Sequence, residues 1–290
     1  MSVPTTDQNI TTEAFEAAEA FEASFGAARS EPAEDEYRHE AELYDVLWAD
    51  LNTLDLPFQL ARTEEFGGPL LELACGTGRV LLPCAELVER AVGVDISPSM
   101  LEQGRAALAA ADLPEGRVEL VEGDFRTFRL GEKFALVLAA GQPMYHLETT
   151  EDWLSALTSI REHLRPGGRF ATGVPIFSDE VVAEYDRRQL FAGEIRHPRT
   201  GQRIAMWDFN IFDTAAQKIT RRRVSEVLDE EGLVLESRHS LRTNYYRSPE
   251  QIRELLGQAG FRIDREHGGF DESPFEPGSE YYVWVASAAE

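Results

Sequence analysis

From Pro69 to Ile176, short apolar runs alternate with amphipathic stretches, and this alternation most narrows what the chain can fold into. "PLLELA", "AVGVDI", "RVELVEGD", "FALVLAAG" and "RFATGVPI" read as strands. "GRVLLPCAELVERA", "SPSMLEQGRAALAAADLP" and "TTEDWLSALTSIREHLRPGG" read as the helices between them. Ser97 caps the second with Pro98 at its first position, and Pro-Gly-Gly closes the third. Parallel neighbours in a sheet need a crossover, which a helix supplies. The pattern therefore predicts an α/β fold with a doubly wound, mostly parallel sheet.

The pattern changes on both sides of this core. Upstream, residues 37 to 65 read as helical, with Leu43, Val46, Leu47 and Leu51 spaced by three and four. Downstream, "RIAMWDFNIFD", "KITRRRVSEVLD" and "LVLESRHSLRTNYY" are long strand-like runs with no helix between them, which predicts an inserted antiparallel β meander. "SPEQIRELLGQAG" returns to a helix and "EYYVWVAS" to a strand. Four regions follow: an acidic N-terminal extension over 1–34, a core over 35–172, the β insertion over 173–245, and a C-terminal helix and strand over 246–290 that complete the core. Within the extension, Phe15, Phe21 and Phe25 suit a solvated segment or a helical lid.

Composition limits the partners. The formal net charge is −24, which repels phosphate-rich polymers and argues against nucleic acid. On the same ground a cationic amine is the favoured class of small ligand. No apolar run is long enough to cross a membrane, and no secretory signal is visible. Two cysteines, Cys75 and Cys84, make no disulfide framework and read as reduced thiols of a cytoplasmic protein. The six histidines are scattered without ligand spacing, so no metal site is expected.

"ELACGTGRV" carries the first functional signal. A strand, a tight glycine turn and a helix start place backbone N–H groups at a ligand, and Ala74, Gly76 and Gly78 let it come close. The dinucleotide fingerprint requires a third glycine where Leu81 stands, and the loop has no lysine to hold phosphates. Asp95 ends the next strand, where a carboxylate can take both hydroxyls of a ribose. The loop thus suits a nucleoside with a small polar group beside the glycines. Cys75 has no histidine near in sequence to lower its pKa, so it reads as a small residue filling the turn.

"LELACGTG", "GVDISPSML" and "EGDF", in this order and spacing, resemble the class I S-adenosylmethionine-dependent methyltransferases, strongly over residues 66–172 and loosely elsewhere. The resemblance implies a Rossmann-like methyltransferase fold and S-adenosyl-L-methionine as cofactor. It implies that Glu72 and the turn Ala74, Cys75, Gly76 and Gly78 hold the amino-acid end of the cofactor and Asp95 the ribose. Ile96 and Met100 would pack on the adenine, Asp124 would accept from its amino group beside Phe125, and Ala140 would face the cofactor after the fourth strand. Ala74 replaces the first glycine of the family pattern, a departure that keeps the turn small.

The acceptor side begins at "AAGQPMYHL". Here the segment resembles small-molecule N-methyltransferases of the glycine and amino-sugar types, in which a polar residue precedes a His-Leu pair, matching Gln142 and His146. The Asn/Asp-Pro-Pro-aromatic motif of nucleic-acid amino-methylating enzymes is absent. His146 can serve as general base, as a positioning group or as a packed histidine. Tyr44, in "ELYDVLW", is a second catalytic candidate, because aromatic rings stabilise a sulfonium and exclude water. Tyr37, Gln142, Tyr145, Trp207, Arg222, Arg242 and Tyr245 are the candidates for binding the acceptor. Arginines 221 to 223 can pair with acidic residues across strands or hold an acceptor carboxylate.

The expectation is a methyltransferase acting on a small polar metabolite by in-line displacement, nitrogen ahead of oxygen. The alternatives are an O-methyltransferase of natural-product type, a non-catalytic domain that binds the cofactor, and a tRNA methyltransferase. The insertion would cap the acceptor or form a homodimer surface.

Overall fold

The structure, a computed structural model, describes Tyr37, residues 40–49 and residues 51–289. The expected N-terminal extension and its lid lie outside the described residues. The core sheet has seven strands: β1 (Leu70–Leu73), β2 (Ala91–Asp95), β3 (Val118–Glu122), β4 (Phe134–Ala139), β5 (Leu164–Pro175), β10 (Phe261–His267) and β11 (Tyr281–Ala288). Their spatial order is β10-β11-β5-β4-β1-β2-β3. β1 pairs in parallel with both β2 and β4, while β11 runs antiparallel to β5 and β10. The chain thus forms a doubly wound, mostly parallel sheet with its order reversing at β1. Ligands of such sheets bind outside the carboxyl ends at that reversal.

Burial explains why these segments are strands. Every residue of β1, β2 and β4 is buried, as expected of strands covered on both faces. Trp153, Trp284, Tyr282, Phe134 and Phe170 fill one side of the sheet; Phe58, Leu70 and Leu81 belong to the other. Burying each such side chain contributes roughly 1.5–3 kcal/mol.

Eight α-helices are described: α1 (Tyr44–Leu47), α2 (Leu51–Leu54), α3 (Leu56–Phe66), α4 (Leu81–Ala85), α5 (Pro98–Ala110), α6 (Thr150–His163), α7 (Asp179–Tyr185) and α8 (Pro249–Gln258). Ser97 caps α5 by accepting from the Met100 N–H. Capping boxes open α6 through Thr149 and Asp152 and α8 through Ser248 and Gln251.

Several expected boundaries differ. The helical stretch over 37–65 is broken into a 3₁₀ turn (Ala41–Leu43), α1, α2 and α3, with Pro57 restarting the chain in the first turn of α3. Val46 is exposed, so its apolar edge is not continuous. Helix α4 stops at Ala85, where the N–H groups of Glu86 and Leu87 bond three residues back. Helix α6 ends at His163, and Pro166-Gly167-Gly168 already lies in β5.

The insertion is a separate four-stranded antiparallel sheet, β6 (Gln189–Arg196), β7 (Arg203–Asp213), β8 (Lys218–Leu228) and β9 (Val234–Tyr245), in that order. It has one more strand than the three runs predicted. β6 escapes sequence reading because it is an edge strand, mostly exposed and bulged beside Gly193.

Candidate functional site

The carboxyl ends of β1 and β2 build the first half of the site. Ala74 turns the chain with φ +52, a left-handed conformation that L-residues rarely adopt. Gly76 follows with φ +54, and a Cβ there would lie 2.9 Å from Met100 Cε. The loop is fastened by Asp95, which is buried. Its Oδ2 accepts from the Gly76 N–H at 2.8 Å and its Oδ1 from the Ser97 N–H at 2.8 Å.

Glu72 is buried below the loop, and its Oε2 has no hydrogen-bond partner. Burial raises its pKa well above the ordinary carboxylate range against the pull of Arg79. An ammonium group arriving at the loop would relieve that cost. Cys75 packs tightly on Gly93, where a Cβ would lie 2.6 Å from its Sγ. Burial, then Glu72 and Asp95, push its thiol well above its ordinary pKa, so it is no nucleophile. Ile96 is 64% exposed beside Asp95, available to a flat apolar ligand, while Met100 is buried under Gly76.

Asp124 and Phe125 follow β3. Burial would raise the Asp124 carboxyl, but hydrogen bonds from the Arg126 side chain and backbone outweigh it and hold the pKa below its usual value. Ala140 is buried at the end of β4.

The second half of the site lies between β4, the segment from Tyr37 to Leu51, and the inserted sheet. A cavity of about 110 Å³ is lined there by Tyr37, Tyr44, Trp48, Gln142, Tyr145, His146, Arg221, Arg242 and Asn244, among others. A wider groove of about 1200 Å³ shares Phe177, Ile219 and Arg221 with it. Gln142 enters with φ +68 and opens the 3₁₀ turn (Pro143–His146) that carries the histidine.

His146 Nε2 lies 3.2 Å from the Tyr37 hydroxyl. Desolvation, then the Arg242 and Arg221 guanidiniums, push its pKa down to about 4. His146 is an exposed residue that lines the cavity, and these causes favour its neutral form. Tyr44 is raised in pKa, first by burial and then by Tyr37, so its phenol keeps its proton. Tyr145 engages its hydroxyl with the Pro175 carbonyl, leaving its ring as wall.

Two contacts tie this half to the cofactor loop. Thr77 Oγ1 donates to Asp45 Oδ1 at 2.6 Å. Arg79 grips Asp55 through two hydrogen bonds at 2.8 and 2.9 Å, with both side chains almost fully buried. A Cβ on Gly141 would lie 3.6 Å from the Tyr44 hydroxyl, so the chain leaving β4 runs close beneath that ring.

The acceptor-binding residues expected on the insertion divide by face. Cross-strand pairs Asn210–Arg221 and Arg221–Arg242, and Asp208–Arg223 and Arg223–Ser240, put these residues on one face of the sheet. That face turns to the cavity, with Arg221 and Arg223 lying over the Trp48 ring at 5.9 and 5.5 Å. Trp207, Arg222 and Tyr245 stand on the other face, and none lines the cavity. Trp207 bonds Glu226, Arg222 meets His239, and Tyr245 is pushed up to about 12 by burial and by Glu148. Their expected place in an acceptor site is therefore corrected: side chains alternate along a strand, and β8 turns Arg221 inward rather than Arg222. Arg242 does face inward; it stacks on Tyr37 at 4.2 Å and bonds Glu40 at 3.1 Å. Arg221, one of the three arginines offered for an acceptor carboxylate, lines the cavity, and Asn244 and Glu40 are additions that sequence reading did not select.

Fold and loop together define a protein built to hold a nucleoside cofactor at the switch point of an α/β sheet. Residues 70–168 match a family model described as a methyltransferase domain. The chain is 38% identical over 108 residues to a dTDP-3-amino-3,4,6-trideoxy-alpha-D-glucopyranose N,N-dimethyltransferase of Streptomyces venezuelae, covering 37% of this chain and 42% of that protein's length. It is 28% identical over 212 residues to a cypemycin N-terminal methyltransferase of Streptomyces sp, covering 72% and 78%. A solved S-adenosylmethionine-dependent methyltransferase from Clostridium acetobutylicum ATCC 824 superposes with a TM-score of 0.73 at 17% identity, covering 88% of this chain and 99% of that one. Residues 70–168 are thus a methyltransferase domain, and the chain shares its fold with a solved S-adenosylmethionine-dependent methyltransferase. Its residues fit the cofactor: Glu72 Oε2 is an unanswered buried acceptor beside a turn of small residues, with Ala74, Gly76 and Gly78 at positive φ and the Asp95 carboxylate at its edge.

Proposed function

We propose that this protein transfers a methyl group to a nitrogen of a small polar metabolite bound in the cavity beside His146. The observation that carries the reading is the His146 imidazole, which lines a cavity that begins where β4 delivers Gly141 and Gln142. Two relatives, an amino-sugar N,N-dimethyltransferase and an N-terminal methyltransferase, support nitrogen over oxygen.

Bound S-adenosylmethionine supplies an electrophilic methyl on a positively charged sulfur. The chain's own part is positioning. Neutral His146 can accept a hydrogen bond from the acceptor's N–H and so direct the nitrogen lone pair. It can also take the proton that the nitrogen sheds. Gln142 offers its amide from the same turn. Tyr37, Tyr44 and Trp48 form an aromatic wall that excludes water, with Tyr37 and Tyr44 6.0 Å apart and Tyr44 and Trp48 6.4 Å apart. The Asp45–Thr77 and Asp55–Arg79 contacts hold that wall over the loop.

The test is release of S-adenosylhomocysteine from a panel of amines and matched alcohols. Turnover of amines is expected. Turnover of alcohols alone would shift the reading to an O-methyltransferase. Tight cofactor binding with no turnover on either set would make the chain a binding domain.

A further inference from the structure

Arg221 is the cation in the cavity that the fold leaves least answered. Its neighbours on the inner face are engaged. Arg223 donates to Asp208 through two hydrogen bonds at 2.8 and 2.7 Å, and Arg242 bonds Glu40. Arg221 makes no side-chain hydrogen bond among the described residues. The carboxylate oxygen paired with it, Asp208 Oδ2, is 4.0 Å away and already serves Arg223. A guanidinium carries five N–H donors, and a sequestered charge is costly unless it is both paired and hydrogen-bonded. Arg221 is 27% exposed, and that exposure opens onto the cavity and the adjoining groove.

A second donor stands beside it. Asn244, one step along β9 on the same face, is buried at 9% exposure, lines the cavity and makes no side-chain hydrogen bond among the described residues. The charge balance points the same way. Three guanidiniums, Arg221, Arg223 and Arg242, face the carboxylates of Asp208 and Glu40. The small cavity, lined by Arg221 and Arg242 and by no carboxylate among the described residues, is therefore locally positive within a chain of net charge −24, while the adjoining groove carries Glu180, Glu184, Asp208, Glu276 and Glu280.

We propose that Arg221, with the Asn244 amide beside it, binds an anionic group of the methyl acceptor, a carboxylate or a phosphate. The acceptor is then an amine that carries its own negative charge, and Arg221 selects for it. This rests on the cavity being the acceptor site. Because Arg221 is among the groups that hold His146 uncharged, the anion also eases protonation of the imidazole as the nitrogen loses its proton.

The experiment titrates the full chain, saturated with S-adenosylhomocysteine, with acetate, inorganic phosphate or inorganic pyrophosphate against chloride at constant ionic strength, by calorimetry. At least one of the three is expected to saturate above chloride. Acetate marks a carboxylate subsite; phosphate or pyrophosphate marks a phosphoryl subsite. Arg221→Gln should weaken that binding at least tenfold, Arg221→Lys should restore part of it, and both should keep the affinity for S-adenosylhomocysteine. If Arg221→Gln does not fold, Asn244→Asp carries the test with the same loss expected. No saturation by any of the three, or equal affinity in the folded variant, overturns the proposal. The two readings fail separately: anion binding without turnover counts against methyl transfer, and turnover of neutral amines without anion binding counts against the subsite.

Discussion

The Tyr37 hydroxyl and His146 Nε2 meet at 3.2 Å across 109 positions of sequence. The contact joins the segment that walls the cavity to the turn that follows β4. It holds one ring nitrogen of His146, a residue that also lines the cavity. Replacing His146 with alanine should therefore lower turnover while sparing cofactor affinity. General-base or positioning roles of this kind contribute roughly 10²–10⁴-fold. A rate unchanged by His146→Ala across the pH range would exclude both roles.

The same histidine makes stability depend on pH. Between its ordinary value of 6.5 and about 4, the unfolded chain binds a proton that folded His146 refuses. Unfolding is then favoured as pH falls through that window. His163, also depressed first by burial, acts in the same direction. Urea midpoints should fall from pH 7 to pH 5, and His146→Gln should flatten part of the decline. An equally steep decline in the variant would show that the depression at His146 is not real.

Asp95 has two duties, one to the loop and one to the ligand. Asp95→Ala removes charge-assisted acceptors from the Gly76 and Ser97 N–H groups. Each such bond contributes about 1.5–3 kcal/mol. Both thermal stability and affinity for S-adenosylhomocysteine should drop, the latter by calorimetry. Unchanged affinity would contradict the placement of the ribose at this carboxylate.

The Arg79–Asp55 pair is buried and bidentate. Breaking it from one side leaves an uncompensated charge, at a cost of about 3–5 kcal/mol. Asp55→Ala and Arg79→Ala should each lower the denaturation midpoint sharply. The double variant should lose less than the sum of the two, and simple additivity would argue against direct coupling.

Cys75 is expected to be chemically silent. Cys75→Ala should leave turnover within about twofold, because the buried thiol is held protonated. Thiol reagents should label Cys75 and Cys84 only on unfolding, since both are fully enclosed. Rapid labelling of the native chain would overturn this.

The core was legible in sequence for a physical reason. Strands buried on both faces are nearly continuous apolar runs, and "LLEL", "AVGVD" and "FALVLA" show it, broken only by Glu72 and Asp95. The loop was legible because small residues and Asp95 stand at strand ends, where local chain geometry governs. The insertion was legible only as strands. That Arg221 and Arg223 share a face follows from alternation, but which face turns inward depends on how the sheet docks against Trp48 and Glu40. No pattern within "TRRRVSEV" contains that information. β10 escaped because "FRIDREH" is charged on one face, as suits a strand lying at the sheet's edge. The pairing of Tyr37 with His146 had no local signature at all.

The cofactor turn carries one more consequence. Its shape is held by bonds within the chain itself, from the Gly76 and Ser97 N–H groups to the Asp95 carboxylate. Its conformational freedom is lost when the chain folds, so binding does not have to order it. Recognition of the nucleoside should accordingly be fast and nearly rigid, and discrimination between substrates should fall to the looser assembly of aromatic rings and guanidiniums on the other side of the methyl group.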